Sequence, residues 1–325
     1  MNNVKFGGFA SYTAHLARAL REQGYRPMIY KVGKKVEKQI RPFMHNQGYQ
    51  NLSHDAAISV ASMTPSLIVC AYWKQHSETI KQILRSGAAI VLHDPTEYAD
   101  SLMSAIKQNN SRVVSIRKGN AQFLKEKGYK ARFIQHPYVP IAGTRRMPTL
   151  RNAVTLSRLD WDKHTDIICQ ANELLPEKEK AHIYGAINRM YTHHKLDSVY
   201  PNWEKMYKGQ FDLDPKTPIR LAQGSNWVID MSVIKGDGGG SQYTFMESWD
   251  AGTPLIIHKD WLRTEADEMQ PGVNCLAVSD GGELASLLRK NDPDLMVALS
   301  DGGKKALEWH GSESVVPEYV DYLGL

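Results

Sequence analysis

Asn152-Ala153-Val154-Thr155-Leu156-Ser157-Arg158-Leu159-Asp160-Trp161-Asp162-Lys163 runs from an apolar, strand-like segment into a polar turn carrying two cations. The apolar pattern resumes at helical spacing over His164–Leu174. A strand, a short turn and a helix in that order form half of a βαβ unit, whose strands lie parallel beneath covering helices. Downstream, the spacing predicts strands His182–Tyr184, Trp227–Met231, Pro254–His258 and Cys275–Val278, with helices Gln242–Ala251 and Glu283–Lys290. Upstream, Tyr12, Leu16, Ala19 and Leu20 form a helical stripe that stops at Gly24, a C-cap signal. Strands Pro27–Tyr30, Ser66–Ala71, Ala88–His93, Arg112–Ile116 and Ala131–Gln135 follow, alternating with helices His76–Arg85, Thr96–Lys107 and Asn120–Lys127. The pattern predicts an α/β protein with two Rossmann-like, doubly wound domains facing a central cleft. Ligands in such folds bind at the carboxyl ends of the strands.

The segment His136–Pro148 holds three prolines and has no periodicity, so it reads as a linker. We therefore expect domains at 1–140 and 141–310. A last amphipathic helix, Glu313–Leu323, is expected within 311–325, packing back on the first domain through Val316, Tyr319, Val320 and Leu323. The 325 residues suit two domains. The longest apolar runs, such as Ala88–Leu92, are strand-sized and too short to cross a bilayer. No apolar core of a signal peptide follows Met1. Cys70, Cys169 and Cys275 lack CxxC spacing, which argues against a zinc motif or a disulfide framework. The expectation is a metal-independent protein of the cytoplasm.

Charge is divided unevenly. Residues 1–150 hold 22 Lys+Arg and 8 Asp+Glu, against 18 and 27 in residues 151–325, giving +14 and −9 within a chain of +5. The basic residues bunch at Lys31, Lys34, Lys35, Lys38 and Arg41, and again between Arg112 and Arg132. Such a half suits a polyanion, either nucleic-acid phosphates or anionic lipid headgroups.

Four places carry chemistry. Gly7-Gly8 stands before the first helix, where bare backbone and free amides attract an anion, although many such pairs are simple turns. Arg158 and Lys163, five residues apart at a strand's carboxyl end, can converge on a diphosphate, the first as a planar fork and the second as a point charge. Gly238, Gly239 and Gly240 precede a helix on which Tyr243 and Thr244 share a face with Glu247, a carboxylate able to accept two vicinal ribose hydroxyls. His93-Asp94 ends a buried strand, as an acid/base pair or as a helix cap in competition with Thr96. No GK[ST] ending makes the glycine run a P-loop, and no GxGxxG follows a strand as a dehydrogenase requires. No pair of carboxylates suggests a double-displacement glycosidase.

In this order the features resemble the retaining GT-B glycosyltransferase family, with its Gly-Gly loop, RLxxxKG turn and E-x7-E segment. Arg158-Leu159-Asp160-Trp161-Asp162-Lys163 matches the turn, and Phe245–Pro254 matches the LEAMAxGxPV run. The resemblance implies that Arg158 and Lys163 hold the donor diphosphate, that Glu247 binds the ribose, and that Gly7, Gly8 and Gly238–Gly240 offer amides to the donor. It implies a nucleotide sugar, a UDP-sugar first, as co-substrate, with no cofactor required. A narrower resemblance, through Tyr243–Glu247, Ala251–Pro254 and His93-Asp94, is to the phage DNA α-glucosyltransferases that act on hydroxymethylcytosine. It implies Asp94, and with it His93, near the acceptor hydroxyl, duplex DNA on the basic half, and a host cytoplasm. A lipid-linked or polysaccharide acceptor at the inner membrane face is the alternative. A non-catalytic DNA-binding protein on a degenerate scaffold is the other class. Two departures stand out: only six residues precede Gly7, and Gly239 replaces the first Glu of E-x7-E.

Overall fold

The computed structural model describes residues 8–33, 39–42, 44, 47–69, 73–141, 152–211, 214, 216–233, 240–262, 268–290 and 292–324. The chain divides into two compact units, Met1–Val139 with Trp309–Leu325, and Pro140–Glu308.

The first unit opens with helix α1 (Gly8–Glu22) and a three-stranded sheet of β1 (Ile29–Val32), β2 (Arg41–Pro42) and β3 (Gly48–Leu52). β3 lies between the others, parallel to β1 and antiparallel to β2. Helix α2 (His54–Met63) follows, its first turn closed by Ser53 Oγ accepting from the Ala56 amide at 3.2 Å. Next come β4 (Leu67–Ile68), α3 (Trp73–Arg85), β5 (Ala89–Leu92), α4 (Asp100–Gln108), β6 (Arg112–Ser115), α5 (Lys118–Glu126) and β7 (Lys130–Phe133). These four strands are parallel and lie in chain order. Ile90, Leu92, Leu102, Ile106, Val113 and Leu124 form the core beneath them.

The second unit contains β8 (Ala153–Leu156), α6 (Thr165–Leu174), β9 (His182–Tyr184), α7 (Arg189–Tyr191), α8 (Trp203–Met206), α9 (Lys216–Gln223), β10 (Trp227–Asp230), α10 (Tyr243–Ala251), β11 (Leu255–His258), β12 (Leu276–Val278), α11 (Gly281–Lys290) and α12 (Pro293–Glu308). Its parallel sheet has the order β12-β11-β10-β8-β9. Every residue of β8, β10 and β11 is buried, which is why these strands read as mostly apolar runs rather than alternating ones. The strand order reverses between β8 and β10. A reversal of this kind is the place where such sheets bind ligands.

Three expectations need correction. The helix predicted over Thr96–Lys107 is broken: Pro95–Glu97 forms a 3-10 turn and α4 starts at Asp100. The Glu97 carboxylate accepts from the His93 and Asp94 amides, so this turn closes on the strand end instead of feeding a helix. The start of the predicted linker is packed: Tyr138 and Val139 are buried, with the Tyr138 amide donating to the His310 carbonyl at 2.8 Å and the Val139 amide to His15 Nδ1 at 3.0 Å. Residues 142–150 lie outside the described residues. The region from Arg112 to Arg132 is also less purely a charged face than its composition suggests.

Helix α13 (Ser312–Leu323) accounts for the last point. The Tyr12 and Tyr319 hydroxyls are hydrogen-bonded. Arg132 pairs with Glu318 at 3.0 Å and with Asp321, and Arg112 Nη1 donates to the Tyr322 carbonyl at 3.1 Å. Two of the clustered arginines thus fasten the terminal helix. Among the described residues no helix is long and apolar enough to cross a membrane. Cys169 and Cys275 are buried free thiols, both pushed up to about 12 by burial, and Cys70 lies outside the described residues.

Candidate active site

The turn after β8 is held from three sides. Leu159 is fully buried; its amide donates to the Ala186 carbonyl at 2.8 Å, and its carbonyl accepts from the Asn188 amide at 3.0 Å. Asp160 caps the one-turn helix Trp161–Lys163, accepting from the Trp161 amide at 2.9 Å and from Asn188 Nδ2 at 2.8 Å. The Val233 amide, past the end of β10, donates to the Asp162 carbonyl at 2.9 Å. Gly185 lets β9 pass beside this turn. A Cβ there would meet the Ser157 carbonyl oxygen at 1.9 Å, and its φ of +146° suits no other residue. His164 sits in the left-handed region at φ 42°, so Lys163 and α6 are joined by a sharp, strained corner.

The two cations meet different surroundings. Arg158 is exposed over 58% of its side chain and leans on acids, with Nη2 at 3.0 and 3.1 Å from the Asp162 carboxylate and Nε at 3.3 Å from Asp160. Lys163 is largely covered, and its Nζ donates to Ser232 Oγ at 2.7 Å and to Gln242 Oε1 at 3.0 Å. Ser232 stands just past β10, and Gln242 is the N-cap residue of α10. The ammonium is therefore pinned at the point where the strand order reverses.

Helix α10 brings its half-buried face to the same neighbourhood. Tyr243, Thr244 and Glu247 are half-buried, whereas Phe245, Met246, Ser248 and Trp249 are buried. The helix ends at Gly252, whose φ of 66° completes a left-handed cap. Glu247 makes no hydrogen bond among the described residues, and its carboxyl is pushed up to about 8, first by burial and then by the nearby Asp250 charge. Gly240, in the left-handed region at φ 70°, offers its carbonyl to Trp261 Nε1 at 2.8 Å. Gly238 and Gly239 lie outside the described residues. Among the described residues no group of three or more His, Cys, Asp or Glu side chains is placed to hold a metal ion.

In the first unit His93 and Asp94 follow β5 directly. The His93 ring lies edge-on to Phe9 and Tyr12, with centroids 4.5 and 5.0 Å away. Its Nε2 is 3.0 Å from the Val69 carbonyl oxygen; a carbonyl only accepts, so Nε2 carries the proton. Burial pushes the ring down to about 4, against the smaller opposing pulls of the Val69 bond and Asp94. His93 is consequently neutral near neutral pH. Gly8 opens α1, and Gly7 lies outside the described residues. Asp230, Ser232, Gln242 and Gly185 escaped the sequence reading. The one available signal was a polar Asp-Met-Ser where the buried strand Trp227–Met231 ends.

No protein-family model matches the chain, and no curated protein matches it by sequence. Solved structures do match it in shape. An α-glucosyltransferase in complex with UDP and a 13-mer DNA containing an HMU base superposes with a TM-score of 0.75 at 13% identity, covering 99% of this chain and 97% of that one. Anabaena Alr3699/HepE with UDP and glucose gives 0.72 at 13% identity, over 100% and 98%. Sucrose-phosphate synthase from Thermosynechococcus elongatus gives 0.63 at 12%, over 97% and 92%. At these identities the match establishes the fold. The chain has the GT-B architecture of two Rossmann-like units.

Proposed function

We propose that the protein is a retaining glycosyltransferase that takes a sugar from a UDP-sugar and delivers it to a hydroxymethylated base in duplex DNA. The observation that carries the donor half is the pinned Lys163 ammonium beside Arg158, at the strand reversal of the second unit. Charge accumulates on the diphosphate as the glycosidic bond to the donor breaks, and fixed cations in a partly dehydrated site stabilise that charge most. Glu247 accepts the ribose hydroxyls, with Tyr243 and Thr244 beside it on the half-buried face of α10. The leaving phosphate takes the acceptor proton from the same face. Asp94 orients the acceptor hydroxyl, and His93, being neutral, acts there through hydrogen bonding rather than as an acid.

The acceptor half rests on surface chemistry. Lys125, Lys127 and Lys130 are exposed, Phe123 is exposed and stacks on Tyr98, and the Lys127 ammonium lies 5.7 Å from the Phe123 ring centroid. Cations interleaved with an open aromatic ring suit a nucleic-acid strand. The structural neighbour that carries UDP and DNA supports the same reading.

The test incubates the protein with a panel of nucleotide sugars, with and without hydroxymethylated duplex DNA, followed by mass spectrometry of the digested nucleosides. A nucleoside heavier by one sugar is expected. Donor hydrolysis without a DNA product would move the acceptor to a lipid or glycan. The absence of both activities would overturn the enzyme reading.

A further inference from the structure

The Lys163 ammonium sits in a polar chain that begins at a buried carboxylate. Asp230, 1% exposed at the end of β10, accepts through Oδ1 from the Ser232 amide at 2.9 Å and from the Ser232 hydroxyl. Asp230 Oδ2 and Gln242 Nε2 are buried and make no hydrogen bond among the described residues.

Counting donors gives the chain a direction. A serine hydroxyl has one hydrogen and two lone pairs. The hydrogen is committed to Asp230, so the oxygen presents only lone pairs to Lys163 and can only accept. Gln242 likewise presents its carbonyl oxygen to the ammonium and keeps its amide nitrogen turned away. Lys163 has three N–H donors. Two are taken by Ser232 and Gln242, and Asp162 Oδ2 at 3.8 Å is too far to take the third. Among the described residues nothing takes the remaining hydrogen of the ammonium, which points in a fixed direction on a group otherwise largely covered.

We infer that Asp230, Ser232 and Gln242 are positioning residues that turn a mobile lysine into a directed donor to the diphosphate. This inference rests on the donor-site reading above. A lysine on a free four-carbon stem must lose much of its rotamer freedom to bind a phosphate. Here that freedom is already lost before the ligand arrives. The carboxylate acts at one remove. It fixes the serine hydrogen without touching the ligand.

The test compares two probes, UDP and uridine, by calorimetry on the wild-type protein and on Ser232→Ala, Ser232→Thr, Gln242→Leu and Asp230→Asn. Uridine reports the pocket for base and ribose; UDP adds the diphosphate. Ser232→Ala and Gln242→Leu should each weaken UDP about tenfold, the worth of one hydrogen bond to a charged group, and leave uridine within about twofold. Ser232→Thr, which keeps the hydroxyl, should restore most of the UDP affinity. Asp230→Asn should weaken UDP in the same selective way. Equal losses for UDP and uridine would assign these residues a merely structural role and overturn the inference. Unchanged UDP affinity in Ser232→Ala and Gln242→Leu, with the wild-type protein binding UDP, would overturn the inference alone. A wild-type protein that binds uridine but gains nothing from the diphosphate would overturn the donor-site reading and this inference together.

Discussion

Glu247 gives the proposed donor site a pH dependence. Its carboxyl is pushed up to about 8 by burial and by Asp250, and among the described residues nothing donates to it. At about pH 7 roughly nine in ten molecules therefore carry the proton, and ionising the group costs about 1.4 kcal/mol. Two ribose hydroxyls donating to the carboxylate favour its charged form, so binding lowers the pKa and expels the proton. The sign follows. Affinity rises with pH between the bound-state and free-state pKa values and levels off above about 8. Each unit below 8 costs about tenfold, so uridine should bind about a hundredfold more weakly at about pH 6 than on the plateau. Uridine is the right probe because it carries no phosphate to titrate in the same range. Calorimetry in buffers of differing ionisation enthalpy should find close to one proton released per uridine at about pH 7, and none in Glu247→Gln. A pH-independent affinity with no proton release would refute the ribose assignment.

Removing either cation should be selective for the diphosphate. Arg158→Ala and Lys163→Ala should each weaken UDP by about ten- to a hundredfold, the range for losing hydrogen bonds to a charged group, while uridine affinity holds. His164→Gly should raise the urea midpoint, by about 0.5–1 kcal/mol of stability, because glycine occupies the left-handed corner without the Cβ clash and gives back part of the gain as unfolded-state entropy. Gly185→Ala should do the opposite, costing about 2–3 kcal/mol by chemical denaturation, since its Cβ has no room against the Ser157 carbonyl. Acid should destabilise the first unit through His93. With a folded pKa of about 4 against an ordinary 6.5, the unfolded chain binds more protons between those values, so stability falls as pH drops through that window. The loss approaches about 3 kcal/mol, and a thermal midpoint indifferent to pH in this range would contradict it.

The sequence was most legible where one physical demand governed a whole segment. Strands β8, β10 and β11 are buried throughout, and burial on both faces writes a mostly apolar run, broken only by Thr155, Asp230 and His258. β3 was invisible because Gly48-Tyr49-Gln50-Asn51-Leu52 buries only Tyr49 and Leu52, so it has neither alternation nor a run. α4 was mispredicted at its start for a different reason. Glu97 is a good helix former by propensity, but it spends its carboxylate on the amides of His93 and Asp94.

The site divides in the same way. In the proposed site, Arg158, Lys163 and Glu247 stand out in the sequence because charged side chains beside a strand end or a glycine run need a reason to be there. Their supports were not. Ser232 and Gln242 are ordinary polar residues, separated from Lys163 by 69 and 79 positions, and only the order β10-β8 brings them to its ammonium. Asp230 is more instructive. A carboxylate as the last residue of a fully buried strand is costly unless something holds it. The serine two residues later takes one oxygen and leaves the other bare. That cost buys the fold nothing in the second unit's apolar core. It becomes intelligible only when the carboxylate is followed outward, through Ser232, to the lysine it orients. The costliest residue in the strand is thus the one that reaches outward, through Ser232, to the proposed donor site rather than into the core.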